Sequence, residues 1–382
     1  MKGYQVAIAG VGETPFVRVS RHSLAELLVE ASRNAIADAG LDPRDIDGFV
    51  RSDGAPPIDD LAFALGVRER RFVAANELVA GAASVGGALI LAQLAIEAGL
   101  ARHVLVPYGI KCSDPGGPYA FHERDPLKAD IEMPVGYFGQ PAYFATIAQR
   151  YRKAHGLAEQ ELAAVSLSAR AWAGLTPNAQ RKDPLDLDGY RRSPVIATPF
   201  RAADCCLMSD GACAYVVTSA ERARDLEKPV VYVAGVAVGT NPLPMSMVLS
   251  QAADIAAFPG RQSAALAYPM AGLSPKDVDL AQIYDCFSIS TLIQAEMLGL
   301  CPEGEGGRLF GAGHTRPGGR MPINTSGGHL SGGYIPGANL VVEGVRQLRG
   351  ERGEGQVPDA RVCAVAGLGA NAHATTLLTT VN

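Results

Sequence analysis

Apolar residues recur along this chain with two periods, one of strands and one of helices, and their order lays out an α/β protein. Tyr4 to Gly12 is an apolar run closed by glycine, the pattern of a buried strand and its turn. From Leu24 to Asp38 the apolar positions return at helical spacing. Gly40 to Val50, GLDPRDIDGFV, predicts a turn feeding a strand. Val79 to Gly99 predicts a long helix that is apolar on nearly every side and therefore buried. Arg102 to Gly109 predicts a short buried strand.

The same order then recurs. Val230 to Gly239 (VVYVAGVAVG) echoes the first strand, and Gly272 to Ala281 (GLSPKDVDLA) echoes GLDPRDIDGF almost residue for residue. SGGYIPGANLVVEGVRQLRG echoes the glycine-opened helix at Gly81 to Gly99, and Arg361 to Gly369 echoes Arg102 to Gly109. The repeat is a duplicated α/β unit, not a short solenoid period. It predicts a first half over 1–228 and a second over 229–382, with stacked sheets around buried helices. The stretch of about 113–199 has no counterpart in the second half. Its segments PGGPYAFHERDP and GYFGQPAYFATIAQRYRKAHG are more polar and aromatic, and it reads as an inserted loop domain covering the site.

Composition narrows the class. The 382 residues suit two domains of ordinary size. A hydrophobic content of 48% with 19% charged residues is that of a soluble globular protein. A net charge of −5 gives no basic footprint for nucleic acid. Gln93 and Glu97 interrupt the most apolar stretch, which excludes a membrane span there. The start MKGYQVAIAGVG lacks a signal-peptide layout, and seven cysteines, an odd number without CxxC, fit a reducing cytoplasm and no zinc site.

The chemistry concentrates between Asn324 and Asn339, NTSGGHLSGGYIPGAN, with five glycines in 16 residues. Glycine lets backbone amides approach a ligand closely, and a helix starting just behind adds unpaired N–H groups. Tyr334 stands at the mouth of that turn.

The residues here resemble the sterol-carrier, lipid-transfer branch of the thiolase superfamily. YDCFSISTLIQAEMLGLCPEGEGG, from Tyr284, is similar to that branch's HDCF segment. GGRMPINTSGGHLSGGYIPGANL is similar to its NPSGG…GHPxGA segment, and DCCLMSDGACAYVV, from Asp204, to its QCCxxSDGAAA turn. QLRGERGEGQVPDARV and GLGANAHATTLL follow in the same order, so the resemblance covers essentially the whole chain. It implies the thiolase fold, with duplicated βαβαβαββ halves in a five-layered αβαβα core. It also implies a CoA-thioester substrate, no separate cofactor, and a homodimer.

The departures from the family pattern are specific. The nucleophilic cysteine's place falls on Ala82, the HPxG histidine on Tyr334, the HDCF histidine on Tyr284 and the CxG cysteine on Gly367. Only Cys286 keeps its place. Ala82 cannot attack a thioester, so an acyl-enzyme at that position is excluded. The resemblance implies a surviving polar cradle, with amides at Ala82, Gly369, Gly332 and Gly333 as oxyanion donors, and two tyrosines where the second oxyanion hole stood. A site that stabilises a thioester enolate without a nucleophile suits reversible aldol chemistry. This pattern resembles the steroid side-chain aldolases, which cleave a 17-hydroxy steroid CoA ester to propionyl-CoA and a 17-ketosteroid. Those aldolases work with an acyl-CoA-binding partner of the OB-fold, zinc-ribbon class.

Tyr334 and Tyr284 are thus the expected acid and base, with Cys286 and His329 as further catalytic candidates. Plainer roles compete: packed tyrosines in a dead site, a small buried thiol at Cys286, a solvated loop histidine at His329. Asp285 reads as a structural acceptor, His373 and Asn371 as neighbours of the cradle, and His122 as surface. Cys205 and Cys206 read as packing residues and Trp172 as a helix-face anchor. Two other functions remain open at this point: a non-catalytic acyl-CoA or lipid-binding scaffold, and an acyltransferase using Cys286.

Overall fold

A computed structural model of the chain describes residues 3–51, 57–76, 81–115, 126–241, 254–369 and 371–381. The first half runs β1 (Val6–Glu13), α1 (Leu24–Asp38), β2 (Gly48–Arg51), α2 (Ile58–Leu65), β3 (Phe72–Ala75), α3 (Ala83–Glu97) and β4 (His103–Lys111). The connection that follows holds α4 (Gln140–His155), α5 (Glu159–Gly174) and a small hairpin of β5 (Val195–Ala197) and β6 (Phe200–Arg201), and leads into β7 (Asp210–Ser219). The second half runs β8 (Val231–Thr240), α6 (Gly260–Ala271), β9 (Leu280–Ile283), α7 (Ser288–Met297), α8 (Ala338–Leu348), β10 (Val362–Leu368) and β11 (Ala372–Thr379).

Local chemistry explains several boundaries. Ser23 opens α1 with a capping box: its hydroxyl accepts from the Glu26 N–H, and the Glu26 carboxylate accepts from the Ser23 N–H. The GLDP and GLSP echoes become matching 3₁₀ turns, Pro43–Asp45 and Pro275–Asp277, each leading toward a strand. The predicted helix over Val79–Gly99 begins at Ala83. Val79 and Ala80 lie outside the described residues.

Apart from the β5–β6 hairpin, the described strands form one sheet ordered β3-β2-β4-β7-β1-β8-β11-β10-β9. Its two parts have the same topology. Outward from β1, the pairings with β7 and then β4 are antiparallel, and those with β2 and β3 are parallel. Outward from β8, β11 and β10 pair antiparallel, β9 pairs parallel, and Ile323 takes the place of β3 through a parallel bridge to Ala281. Among the described residues, the parts pair through Ala7↔Tyr232 and Ile8↔Val231.

Helices α3 and α8 each touch strands of both parts and form the central layer, while α1 covers the outer face of the first part and α6 that of the second. The layering is the expected αβαβα order. Strand β11 shows the two faces by its period of two: Ala374 packs on Gly86 of α3, whereas His373 and Thr375 turn outward to Ser263 of α6. The connection between β10 and β11 is short, while the corresponding β4–β7 connection carries α4 and α5. Trp172 anchors α5, donating its indole N–H to the Thr315 carbonyl at 2.9 Å. No helix of the described residues is long and apolar enough to cross a membrane.

Candidate active site

Tyr284 leaves the end of β9 with its N–H donated to the Ala366 carbonyl at 2.9 Å, so β10 fixes its start. Tyr334 leaves a single π-helical turn, Gly328–Gly332, and donates its N–H to the Ser209 hydroxyl at 2.8 Å. The π turn is held from outside: Gln180 and Arg181 donate backbone N–H groups to the Gly332 and Ser331 carbonyls, and Arg170 donates to the Ser331 hydroxyl. One inserted turn of this kind in glycine-rich chain is a frequent feature of functional sites.

These restraints bring the two phenol oxygens to 3.1 Å from each other. Tyr284 is buried and Tyr334 half-buried, so Tyr334 is the more accessible of the pair. Burial pushes both phenols well above the ordinary tyrosine range. Both hydroxyls therefore carry their protons at neutral pH, and one donates to the other.

His329 completes a three-ring cluster, its centroid 4.9 Å from that of Tyr284 and 5.5 Å from that of Tyr334. It is fully buried and not a solvated loop residue. Its Nδ1 lies 2.7 Å from the Asp285 carboxylate, and its Nε2 lies 2.9 Å from Asn339 Oδ1 and 3.1 Å from the Ile335 carbonyl. Asp285 also accepts the backbone N–H groups of His329 and Leu330. Gly328, at φ +55, leaves room for that carboxylate, since a Cβ there would run into it.

Cys286 is buried beside Tyr284, its thiol pushed up to about 12 by burial, so it is a poor nucleophile here. Its carbonyl accepts from the Cys206 N–H at 2.9 Å. Cys206 packs against the core, as expected, and burial pushes its thiol well above the ordinary range. The backbone bond to Cys286 ties this packing residue to the segment after β9. Its DCCLMSDGA motif also holds Ser209.

Ala82 stands just before α3, fully buried, with Gly337 and Gly367 packed so closely that a Cβ on either would strike it. Gly337 is three residues from Tyr334, so one turn of the chain links Tyr334 to the packing around Ala82. Each of the four predicted cradle amides has a carbonyl partner within the chain. Ala82 donates its N–H to the Leu368 carbonyl, Gly369 to Ala372, Gly332 to Gly327 and Gly333 to Gly328. All four donors are used within the chain, and Gly333 is instead needed for close packing, because a Cβ there would strike the Phe16 ring. The phenol hydroxyls of Tyr284 and Tyr334 remain as donors from the predicted set.

His373 does not adjoin this region. Strand alternation turns it to the outer layer, where Nδ1 meets the Ser263 hydroxyl at 2.7 Å. Asn371 is likewise in the β10–β11 turn, its carbonyl accepting from Asn241. His122 lies outside the described residues. Asn339, which the sequence reading missed, sits in the first turn of α8 and orients His329.

The thiolase C-terminal domain-like family matches residues 245–380. A 17-hydroxy-3-oxo-4-pregnene-20-carboxyl-CoA lyase of Mycobacterium tuberculosis is 37% identical over 372 residues, covering 91% of this chain and 92% of the relative. The chain belongs to the thiolase superfamily. A steroid side-chain-cleaving aldolase of Thermomonospora curvata is 34% identical over 364 residues, covering 90% of both chains. Among solved structures, an Ltp2–ChsH2(DUF35) aldolase superposes with a TM-score of 0.88 at 31% identity, covering 98% of this chain and 97% of that one.

Proposed function

We propose that the protein is an aldolase that cleaves a β-hydroxyacyl-CoA without forming an acyl-enzyme. The observation that carries this reading is the 3.1 Å contact between the Tyr284 and Tyr334 hydroxyls in a chain whose nucleophile position is Ala82. The named activities of the relatives support a 17-hydroxy steroid side-chain CoA ester as substrate, with propionyl-CoA and a 17-ketosteroid as products.

Two neutral phenols in contact form a proton relay. The β-hydroxyl proton passes to Tyr334, the more accessible phenol, as Tyr334 passes its own proton to Tyr284. Tyr284 in turn gives its proton to the thioester enolate left when the Cα–Cβ bond breaks. The ketone leaves, the acyl-CoA is restored, and both phenols end protonated. Hydrogen bonds aimed at the oxygen that gains charge stabilise the enolate more than the ground state.

The solved aldolase complex with a DUF35 chain supports a separate partner here, in line with the OB-fold, zinc-ribbon class expected from the resemblance. A homodimer fits strand β3, which pairs on one edge with β2 and exposes Val73. The test is co-expression with such a partner, addition of the steroid CoA ester, and quantification of both products by mass spectrometry. Stoichiometric release of propionyl-CoA and ketosteroid supports the reading. Binding of the ester with no release supports the scaffold alternative.

A further inference from the structure

We infer that His329 is a fixed imidazolium, paired with Asp285, that positions and polarises the tyrosine pair and does not transfer a proton itself. The inference rests on the tyrosine reading above.

The assignment comes from the partners of the two ring nitrogens. Nδ1 faces a carboxylate oxygen of Asp285 at 2.7 Å. Nε2 faces the Ile335 carbonyl at 3.1 Å and Asn339 Oδ1 at 2.9 Å. The Asn339 amide is not free to flip, because its Nδ2 donates to the Gly333 carbonyl at 3.1 Å. Every partner is an acceptor, so each ring nitrogen carries a proton. With no lone pair exposed, the ring can neither take a proton from substrate nor relay one.

The ring is also immobile. Its backbone N–H is tied to the same Asp285 oxygen, and the following Leu330 N–H to the other. Side chain and carboxylate are both fully buried. Among the described residues, the titratable groups around this ion pair are Cys286 from the segment after β9, Tyr284 and Tyr334 through their rings, Cys206 from the loop before β7, and Arg170 of α5 through Ser331. Glu343, one turn along α8, is turned away to Arg352 at 3.0 Å.

Ring contacts to both tyrosines set their mutual orientation, and a cation against those rings favours the moment when a phenol parts with its proton. Burial alone would oppose that step. A carboxylate behind the imidazolium holds the charge in place without reaching the phenols. The pair thus supplies what a relay of neutral phenols lacks, a pre-oriented positive pole.

The test has two arms. In the intact protein labelled with ¹⁵N-histidine, the His329 resonance, assigned by its loss in His329→Gln, is expected to show two N–H couplings at pH 7. A ring with one unprotonated nitrogen overturns the inference, and this arm does not depend on a variant's folding. Kinetics of the complex with its partner chain form the second arm. In folded His329→Gln, kcat is expected to fall about tenfold or more with KM within about twofold. A merely structural role would lower thermal stability and leave kcat of the folded protein unchanged. Tyr334→Phe and Tyr284→Phe run alongside. If they are inactive and His329→Gln keeps full rate, only this inference falls. If the phenol variants keep full rate, the tyrosine reading falls and the positioning role falls with it.

Discussion

The hydroxyl oxygens of Tyr284 and Tyr334 lie 3.1 Å apart although 50 positions separate the residues in the chain. Tyr284 is set by β10 and Tyr334 by Ser209 and the π turn, so the contact depends on several elements at once. Two polar groups that need each other to relay a proton should fail together. Tyr334→Phe and Tyr284→Phe are each expected to lower kcat by about 100-fold or more. The double variant should be little worse than either single one, as for residues that act as a unit. Steady-state kinetics on the four proteins measure this, and additive losses would argue for independent roles.

The pH dependence separates a relay from a pre-formed phenolate. Burial raises both phenols, so ionised tyrosine is scarce at neutral pH. A phenolate base would make the rate climb about tenfold per pH unit below its own titration. A relay of neutral phenols needs no prior ionisation, and kcat should show no rising limb between about pH 6 and 8.5. Stopped-flow or discontinuous assay across that window decides the point.

Gly337 allows α8 to begin against Ala82. It holds φ +80, and a Cβ there would lie 2.5 Å from the Ala82 Cβ. Gly337→Ala combines left-handed strain with overpacking, a loss of about 2–4 kcal/mol. Urea denaturation should show it, and activity should fall as well because Tyr334 is three residues away.

His373 gives a stability prediction with a definite sign. Burial lowers it to about 3, and among the described residues its Nε2 finds no partner. The unfolded chain takes up a proton near pH 6.5 that the folded chain refuses, so stability is full above that value and declines as pH falls toward 3. Between pH 7 and 5 the loss from this residue is about 2 kcal/mol. His373→Gln should show an unfolding free energy that changes less with pH over that interval, whatever its stability at pH 7.

The architecture was legible because both halves repeat the same hydrophobic pattern. GLDPRDIDGF and GLSPKDVDLA carry the same turn chemistry, and the two glycine-opened apolar helices are the ones that become the central layer. Tyr284, Cys286 and Tyr334 stand out because they lie in long motifs, and the two phenols meet in the structure. The hydrogen bonding around them was not legible. A glycine run suggests free amides, yet whether each N–H is free depends on carbonyls supplied by its own turn or by neighbouring strands, as Gly332 and Gly369 show. His373 was misplaced because one residue of shift along β11 changes the face on which a side chain emerges. Asn339 was missed because its contact with His329, 10 positions away, depends on how the π turn folds back.

The most direct test of the account is product analysis together with intact-protein mass spectrometry after the complex meets a 17-hydroxy steroid side-chain CoA ester. The account predicts equal amounts of propionyl-CoA and 17-ketosteroid, with the mass of the chain unchanged throughout turnover. A covalent acyl adduct on Cys286 or any other cysteine during turnover would contradict it.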